Sequence, residues 1–467
     1  MNRTHRILAA TTLAVLMSAP LPVFAGGGGR VDVAGLGMAG TFVASSRGLD
    51  AVGINPANLA FADSGGPVFL LMPMSIHMGS DVMTYGLYRE YFTGVQTDSG
   101  RVGRYLTPSD KQKILDAFPG GVGHVAGDAA VRPVGFSIPI AALGVFALTV
   151  TEEAAFFADV PKDYAQLILM GNTPGSVYDL AGTRAKASWT REYALSFATS
   201  LLPPPFLLTL QGGISLKYVQ GLAYYELNRM NSSLVTGNDG ILHGKIDVEA
   251  TSASVDGLTG GGGTFSYFPA PAGTGWGMDI GARGGITDYM TVGLAVTDIG
   301  AIHWGRNVIV ARTDSSFTID DPLNADQRNA VERASRGTNG PGSPFTTSLP
   351  TTLRMGVAVE MTKLPFFKKM LFGEMTLAAD YNQGFDDVPG STTRGRVSLG
   401  AEYRPFTFLP LRAGVAFGGE DRFNLAFGLG FHSSVFDLDL ASENLNWIFN
   451  TDSFSYVSLA LGMKIKF

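Results

Sequence analysis

The stretch Gly35-Leu36-Gly37-Met38-Ala39-Gly40 carries the glycine spacing with which dinucleotide-binding folds bring backbone against a pyrophosphate. That chemistry needs a βαβ unit and an acidic residue about 20 positions on. Here the next clear element is an apolar strand after Pro56, with no crossover helix or second parallel strand, so the glycines read as packing residues. No Gly-x-Ser-x-Gly occurs, and the histidines at 77, 124, 243, 303 and 432 lack metal-ligand pairing at helical spacing. His432 follows small residues on its face and reads as a wall histidine. With 0 Cys, thiolate metal sites and disulfides are excluded. The chain is therefore read as having no cofactor, no metal and no enzymatic activity. A hydrolase whose groups meet only in the fold is the enzymatic alternative.

The charges that remain sit in an unusual setting. Arg283, Arg354, Glu360, Glu374, Arg396, Glu402, Arg404 and Arg412 alternate with apolar residues along candidate strands. A soluble β-sandwich also alternates, but its inner face is dry and does not take this many charges. A wet lumen does. Charged residues make up only 16% of the chain against roughly 25% in an average soluble domain, and Gly numbers 60 of 467. A net charge of −6 without a basic cluster argues against nucleic acid.

The elements that would position those charges follow a period of two. At the C-terminus Val457, Leu459, Leu461, Met463, Ile465 and Phe467 share one face, and Ser458, Ala460, Gly462, Lys464 and Lys466 the other. Phe423 to Phe431, Leu411 to Phe417, Val397 to Tyr403 and Leu353 to Met361 repeat the design and are read as consecutive antiparallel strands. Segments 210–218 and 290–297 do so in the preceding part of the chain. The expected fold is an all-β transmembrane antiparallel barrel of about 14 strands, with roughly 12 to 16 allowed. Val134 to Thr151 is read as two strands turning near Ala141-Ala142, a single transmembrane helix being the competing reading. Short helices are expected at Pro108 to Phe118, Pro161 to Met170 and Asp320 to Ala334, in long loops, and Gly260 to Gly263 is read as a loop tip.

The division is residues 1–25 as a cleaved secretory signal, 26–65 as a plug and 66–467 as the barrel. Arg3 and Arg6 precede an apolar stretch too short to span a bilayer, followed by Val23-Phe24-Ala25. Gly462, Ile465 and Phe467 resemble the assembly signature of outer-membrane barrels, although Ala460 stands where a polar residue is usual. The expected location is the outer membrane, with its lipid and the barrel-assembly machinery as partners.

Residues Gly35 to Ala60 resemble the N-terminal segment of the long-chain fatty acid transporter superfamily and of the related type IX secretion shuttle barrels. Gly37, Met38, Gly40, Asp50, Asn55, Pro56 and Ala57 carry the likeness, and Gly275 to Asp279, with Asp298-Ile299-Gly300 and Trp304 downstream, is similar to an uncharacterised branch of these barrels. In the transporters this segment folds into the lumen as a hatch. The resemblance implies a channel admitting small hydrophobic molecules, gated by residues 26–65. The shuttle side implies instead a non-transporting scaffold that holds a secreted protein or lipoprotein. No pocket residues for fatty acid transfer to this chain.

Overall fold

Hydrocarbon offers no partner to a backbone N–H or C=O, so a strand in lipid must be paired along both edges and the sheet must close. In the computed structural model it does. Residues 31–61, 65–98, 100–256, 258, 266, 268–321, 323–370, 372–419, 423–445, 452 and 455–467 are described. The expected signal at 1–25 and the loop tip at Gly260 to Gly263 lie outside them.

Fourteen strands form the closed antiparallel barrel. They are β1 Val68–Ser80, β2 Val122–Ile140, β3 Gly144–Pro161, β4 Arg184–Leu201, β5 Thr209–Met230, β6 Gly273–Gly285 and β7 Met290–Trp304. The second half comprises β8 Thr352–Glu360, β9 Glu374–Gly384, β10 Arg396–Phe406, β11 Leu409–Gly418, β12 Phe423–His432, β13 Phe436–Ser442 and β14 Tyr456–Lys466. Each pairs with the next, and β1 pairs with β14, from Val68 opposite Lys466 to Gly79 opposite Tyr456. The reading of 353–361 and 397–403 as consecutive is corrected: β9 lies between them, pairing Ala378 with Ala358 on one side and with Gly400 on the other. Its short outward set, Leu377, Ala379 and Tyr381, gives a weaker apolar signal than its neighbours. Val134 to Thr151 forms the end of β2, a tight turn with Ala142 at φ 65°, and the start of β3. No described helix is long and apolar enough to cross a membrane.

Alternation sorts the wall into two faces. On β14 Val457, Leu459, Leu461 and Met463 are exposed while Tyr456, Ser458, Ala460 and Gly462 are buried, and β12 does the same with Phe427, Leu429 and Phe431 outward. Connections at the rim carrying the C-terminus are mostly short, 141–143, 202–208, 286–289, 407–408 and 433–435, and those at the other rim are longer apart from 419–422. The long-loop rim bears the expected helices as Pro108–Asp116, capped by Thr107, Lys162–Met170, and Ala325–Arg336. It also bears Tyr85–Phe92, which periodicity does not reveal. One connection at the short-turn rim is long, 361–373, and it contains the helix Pro365–Met370.

The ladder has one conspicuous interruption. Between β1 and β2, pairing runs from Val68 to Leu70 opposite Ser137 to Gly135 and resumes only at Met74 opposite Val131. Pro73 and Pro133 in this gap have no N–H to donate, and Met72 has φ 44°. The β2–β3 register also shifts here, between Val131 and Val134.

Candidate site in the barrel lumen

The glycine-rich segment 31–61 lies inside the barrel, and its compaction starts with its own residues. Asp32 Oδ2 accepts from the Gly35 N–H (3.0 Å) and caps a short helix, Val33–Leu36. Burial, helped by the nearby Asp50 carboxylate, raises the Asp32 carboxyl well above its ordinary range. Asn55 caps a 3-10 turn, Pro56–Ala60, by accepting from the Ala57 N–H, and Pro56 supplies the first residue of the turn without a wasted donor. The Asn58 amide donates to Val43 O and Ser46 Oγ (2.9 and 2.7 Å), so the segment holds its own loop.

Bonds to the wall then fix its position. Asp380 on β9 accepts from the backbone N–H groups of Phe42 and Val43 (2.6 and 2.8 Å). Asn55 Nδ2 donates to Ala282 O on β6 (3.1 Å), and Arg132 on β2 donates to Val52 O (3.3 Å). Lys464 on β14 is ion-paired with Asp50. Phe61 lies under two guanidinium groups, Arg283 at 4.0 Å and Arg47 at 4.7 Å from its ring centroid.

Close approach explains much of the glycine content. A Cβ on Gly414 would come within 2.3 Å of the Met38 carbonyl carbon, and one on Gly213 would meet the Pro56 carbonyl carbon at 2.3 Å. Gly37 faces Gly428 of β12, where a Cβ on Gly37 would lie 2.8 Å from the Gly428 Cα. Met38 and Ala57 are buried, and Gly40 takes φ 69° beside the Arg396 guanidinium. The dinucleotide-like glycines thus serve backbone packing against a wall, without a βαβ unit.

The charges singled out by alternation divide. Arg412 bonds Glu402 (2.6 Å) and Asp439 (2.5 Å), and Arg404 bonds the other Glu402 oxygen (2.9 Å), making one buried network. Arg396 reaches Glu443 (3.3 Å), Arg354 donates to Thr297 Oγ1 (3.2 Å), and Arg283 contacts Gln211 and Thr291. Glu360 pairs with Lys363 near the short-turn rim and also lines an interior hollow with Arg283 and Glu402, whereas Glu374 is exposed at that rim. Sequence reasoning did not single out Asp380, Arg132 or Asp439, nor the pairing of Lys217 with Asp279, Asp298 and Glu192 (2.9, 2.6 and 3.3 Å), of which Asp279 and Asp298 entered only through the family likeness. Asp380 had a signal, its alternation with Ala378 and Asn382 on a strand the reading omitted. Arg132 had none, since it sits beside Pro133 where alternation breaks. Of the terminal residues, Gly462 faces Val33, Ile465 pairs with Phe69 of β1, and Phe467 sets its ring 5.6 Å from Phe69.

Two hollows flank this arrangement. A cavity of about 80 Å³ lies in the lumen between the segment and the long loops, touched by Val31, Gly53, Arg132, Glu153, Lys217 and Trp304. An apolar groove of about 610 Å³ runs along the barrel wall, where Ala282, Gly284 and Ala379 leave space between Leu210, Leu294 and Met355.

These features define a closed, filled transmembrane barrel with an apolar outer belt, and its place is the outer membrane. The chain belongs to a family of unknown function, DUF5723, whose model matches residues 64–442. No curated protein matches it in sequence. Among solved structures it is similar to the deltaS2S3 mutant of TodX, a monoaromatic hydrocarbon channel, at 12% identity and a TM-score of 0.50, covering 94% of this chain and 98% of that one. The Pseudomonas putida toluene transporter TodX aligns at 12% identity and a TM-score of 0.44 over 95% and 98% of the two chains. A Pseudomonas aeruginosa FadL homologue aligns at 14% and 0.44 over 93% and 98%. At such identities the likeness concerns the fold.

Proposed function

We propose that this protein is an outer-membrane channel for small hydrophobic molecules, and that residues 26–65 act as its hatch. One observation carries the reading. The lumen cavity, the hatch carbonyl of Val52 and the interrupted β1–β2 ladder all meet at Arg132. Arg132 also donates to Thr151 Oγ1 (3.0 Å), beside the register shift of β3. A wall short of ladder bonds is the least costly place to part, because fewer backbone groups lose partners there. Withdrawal of the hatch from Arg132 would join the cavity to that weak stretch, giving an apolar molecule a sideways path into lipid. The similar fold of the TodX monoaromatic hydrocarbon channel is consistent with such cargo. No site for catalysis enters this reading.

The test is deletion of residues 30–60. No barrel strand is removed, so the protein should assemble and migrate as a folded barrel on unboiled gels, while conductance to small solutes and uptake of a hydrophobic probe rise. Unchanged conductance and uptake would overturn the hatch. A stoichiometric secreted protein or lipoprotein copurifying with a barrel that passes no probe would favour the scaffold of the secretion-shuttle type.

A further inference from the structure

The connection 361–373 breaks the rule of short turns at its rim, and its composition differs from the other turns. It reads Met361-Thr362-Lys363-Leu364-Pro365-Phe366-Phe367-Lys368-Lys369-Met370-Leu371-Phe372-Gly373, with three lysines and no acidic residue. Phe366, Met370 and Phe372 are 68%, 67% and 67% exposed, three large apolar side chains gathered in one connection rather than scattered singly. The connection is also held rather than loose. Lys363 pairs with Glu360 (2.6 Å) and donates to Asp288 O (2.8 Å), and Tyr403 Oη donates to Phe372 O (2.7 Å).

The exposed rings continue the barrel's own lipid boundary. Phe372 packs edge-on against Phe406 at 5.7 Å, Phe406 stacks on Phe408 at 5.4 Å, and Phe408 reaches Phe431 at 5.9 Å. These residues lie at the short-turn, periplasmic ends of β10 to β12, where an aromatic belt marks the edge of the hydrocarbon. Lys368 and Lys369 project from the same short helix and form no ion pair among the described residues. Apolar rings level with the hydrocarbon edge and lysines beside them are the pattern of an interfacial anchor, in which long lysine stems let the ammonium reach the headgroups.

We propose that the connection 361–373 lies in the periplasmic leaflet of the outer membrane, with Phe366, Met370 and Phe372 in the acyl boundary and Lys368 and Lys369 on anionic phospholipid headgroups. The occupant is phospholipid because the patch is continuous with the lipid-facing belt and carries uncompensated positive charge.

The absence of native Cys permits a single label. A nitroxide on Met370→Cys in the full-length protein would be compared in nanodiscs of phosphatidylcholine alone and of phosphatidylcholine with phosphatidylglycerol, with Ser316→Cys on the long-loop side as a water-exposed control. The expected result is a label accessible to oxygen and shielded from a soluble nickel chelate, deeper with phosphatidylglycerol, and the added depth lost in Lys368→Gln/Lys369→Gln. A label as open to the chelate as the control would overturn the proposal, and so would a depth indifferent to both lipid charge and the two lysines. Shielding in whole cells but not in nanodiscs would assign the face to a protein and overturn it too. Should the labelled variant fail to assemble, hydrogen exchange of the unaltered protein decides: amides of 364–370 must exchange more slowly with phosphatidylglycerol than without.

Discussion

Replacing Asp380 by Ala isolates the grip of the wall on the lumenal segment. The Asp380 side chain is nearly inaccessible, at 3% exposure, and accepts from two backbone donors, Phe42 and Val43. Leaving a buried N–H without an acceptor costs about 1–3 kcal/mol, so two cost about 2–6 kcal/mol. Removing a buried carboxylate recovers part of that, since its desolvation no longer opposes folding. A net loosening of about 1–4 kcal/mol remains, which raises the open population of the segment roughly 5- to 900-fold. The assay uses Ser45→Cys, a near-isosteric change at a hydroxyl that is buried without a hydrogen-bond partner among the described residues, and follows its alkylation rate as a measure of local opening. Asp380→Asn, which keeps one acceptor oxygen, should fall between. The barrel itself should still migrate as folded, because the ladder of β8, β9 and β10 uses backbone groups only. If alkylation stays as slow in Asp380→Ala as in its parent while the barrel is intact, the segment is not held by this carboxylate.

Other changes separate wall from lumen. Leu461→Arg, on the lipid face of β14, should cost about 2–4 kcal/mol if near the bilayer midplane, read as a lower urea midpoint of folding into vesicles. Lys464→Ala, three residues on, should leave that midpoint nearly unchanged but accelerate alkylation of Ser45→Cys, because Asp50 loses its ion partner. Gly414→Val should strain the segment by about 1–3 kcal/mol, since the new side chain meets Met38 backbone, and should raise conductance without loss of the folded gel band. Trp304 is fully buried, stacked at 6.2 Å on Phe345, tilted against Tyr224 at 5.3 Å and bonded through Nε1 to Thr347 Oγ1. Trp304→Ala should destabilise the long-loop rim by about 3–5 kcal/mol, seen as faster hydrogen exchange at 301–304 and 345–348.

The barrel was legible in the chain because its cause is local. Each strand in lipid must turn apolar groups outward and small or polar groups inward, and Val457 to Phe467 or Phe423 to Phe431 record that requirement residue by residue. The turn at Ala141-Ala142 and the Thr107 cap are local too. Strand β9 was missed because its outward set, Leu377, Ala379 and Tyr381, is short and only weakly apolar. The likeness of residues 35–60 to a hatch was also a matter of sequence, resting on small residues and on Asn55-Pro56.

What the tertiary structure alone decided is the pairing of groups far apart in the chain. Phe42 and Asp380 are separated by 338 positions, and Asp50 and Lys464 by 414. Nothing in the local pattern of either partner encodes the other, since an inward carboxylate looks the same whether it meets water, an arginine or a backbone N–H. The same holds for the glycines: Gly414 and Gly213 read as ordinary inward residues, and only closure of the wall around 31–61 turns their missing Cβ atoms into the space the segment occupies. Arg132 depends on closure most of all, because its place at the broken ladder arises where Pro73 and Pro133, distant in sequence, fall side by side.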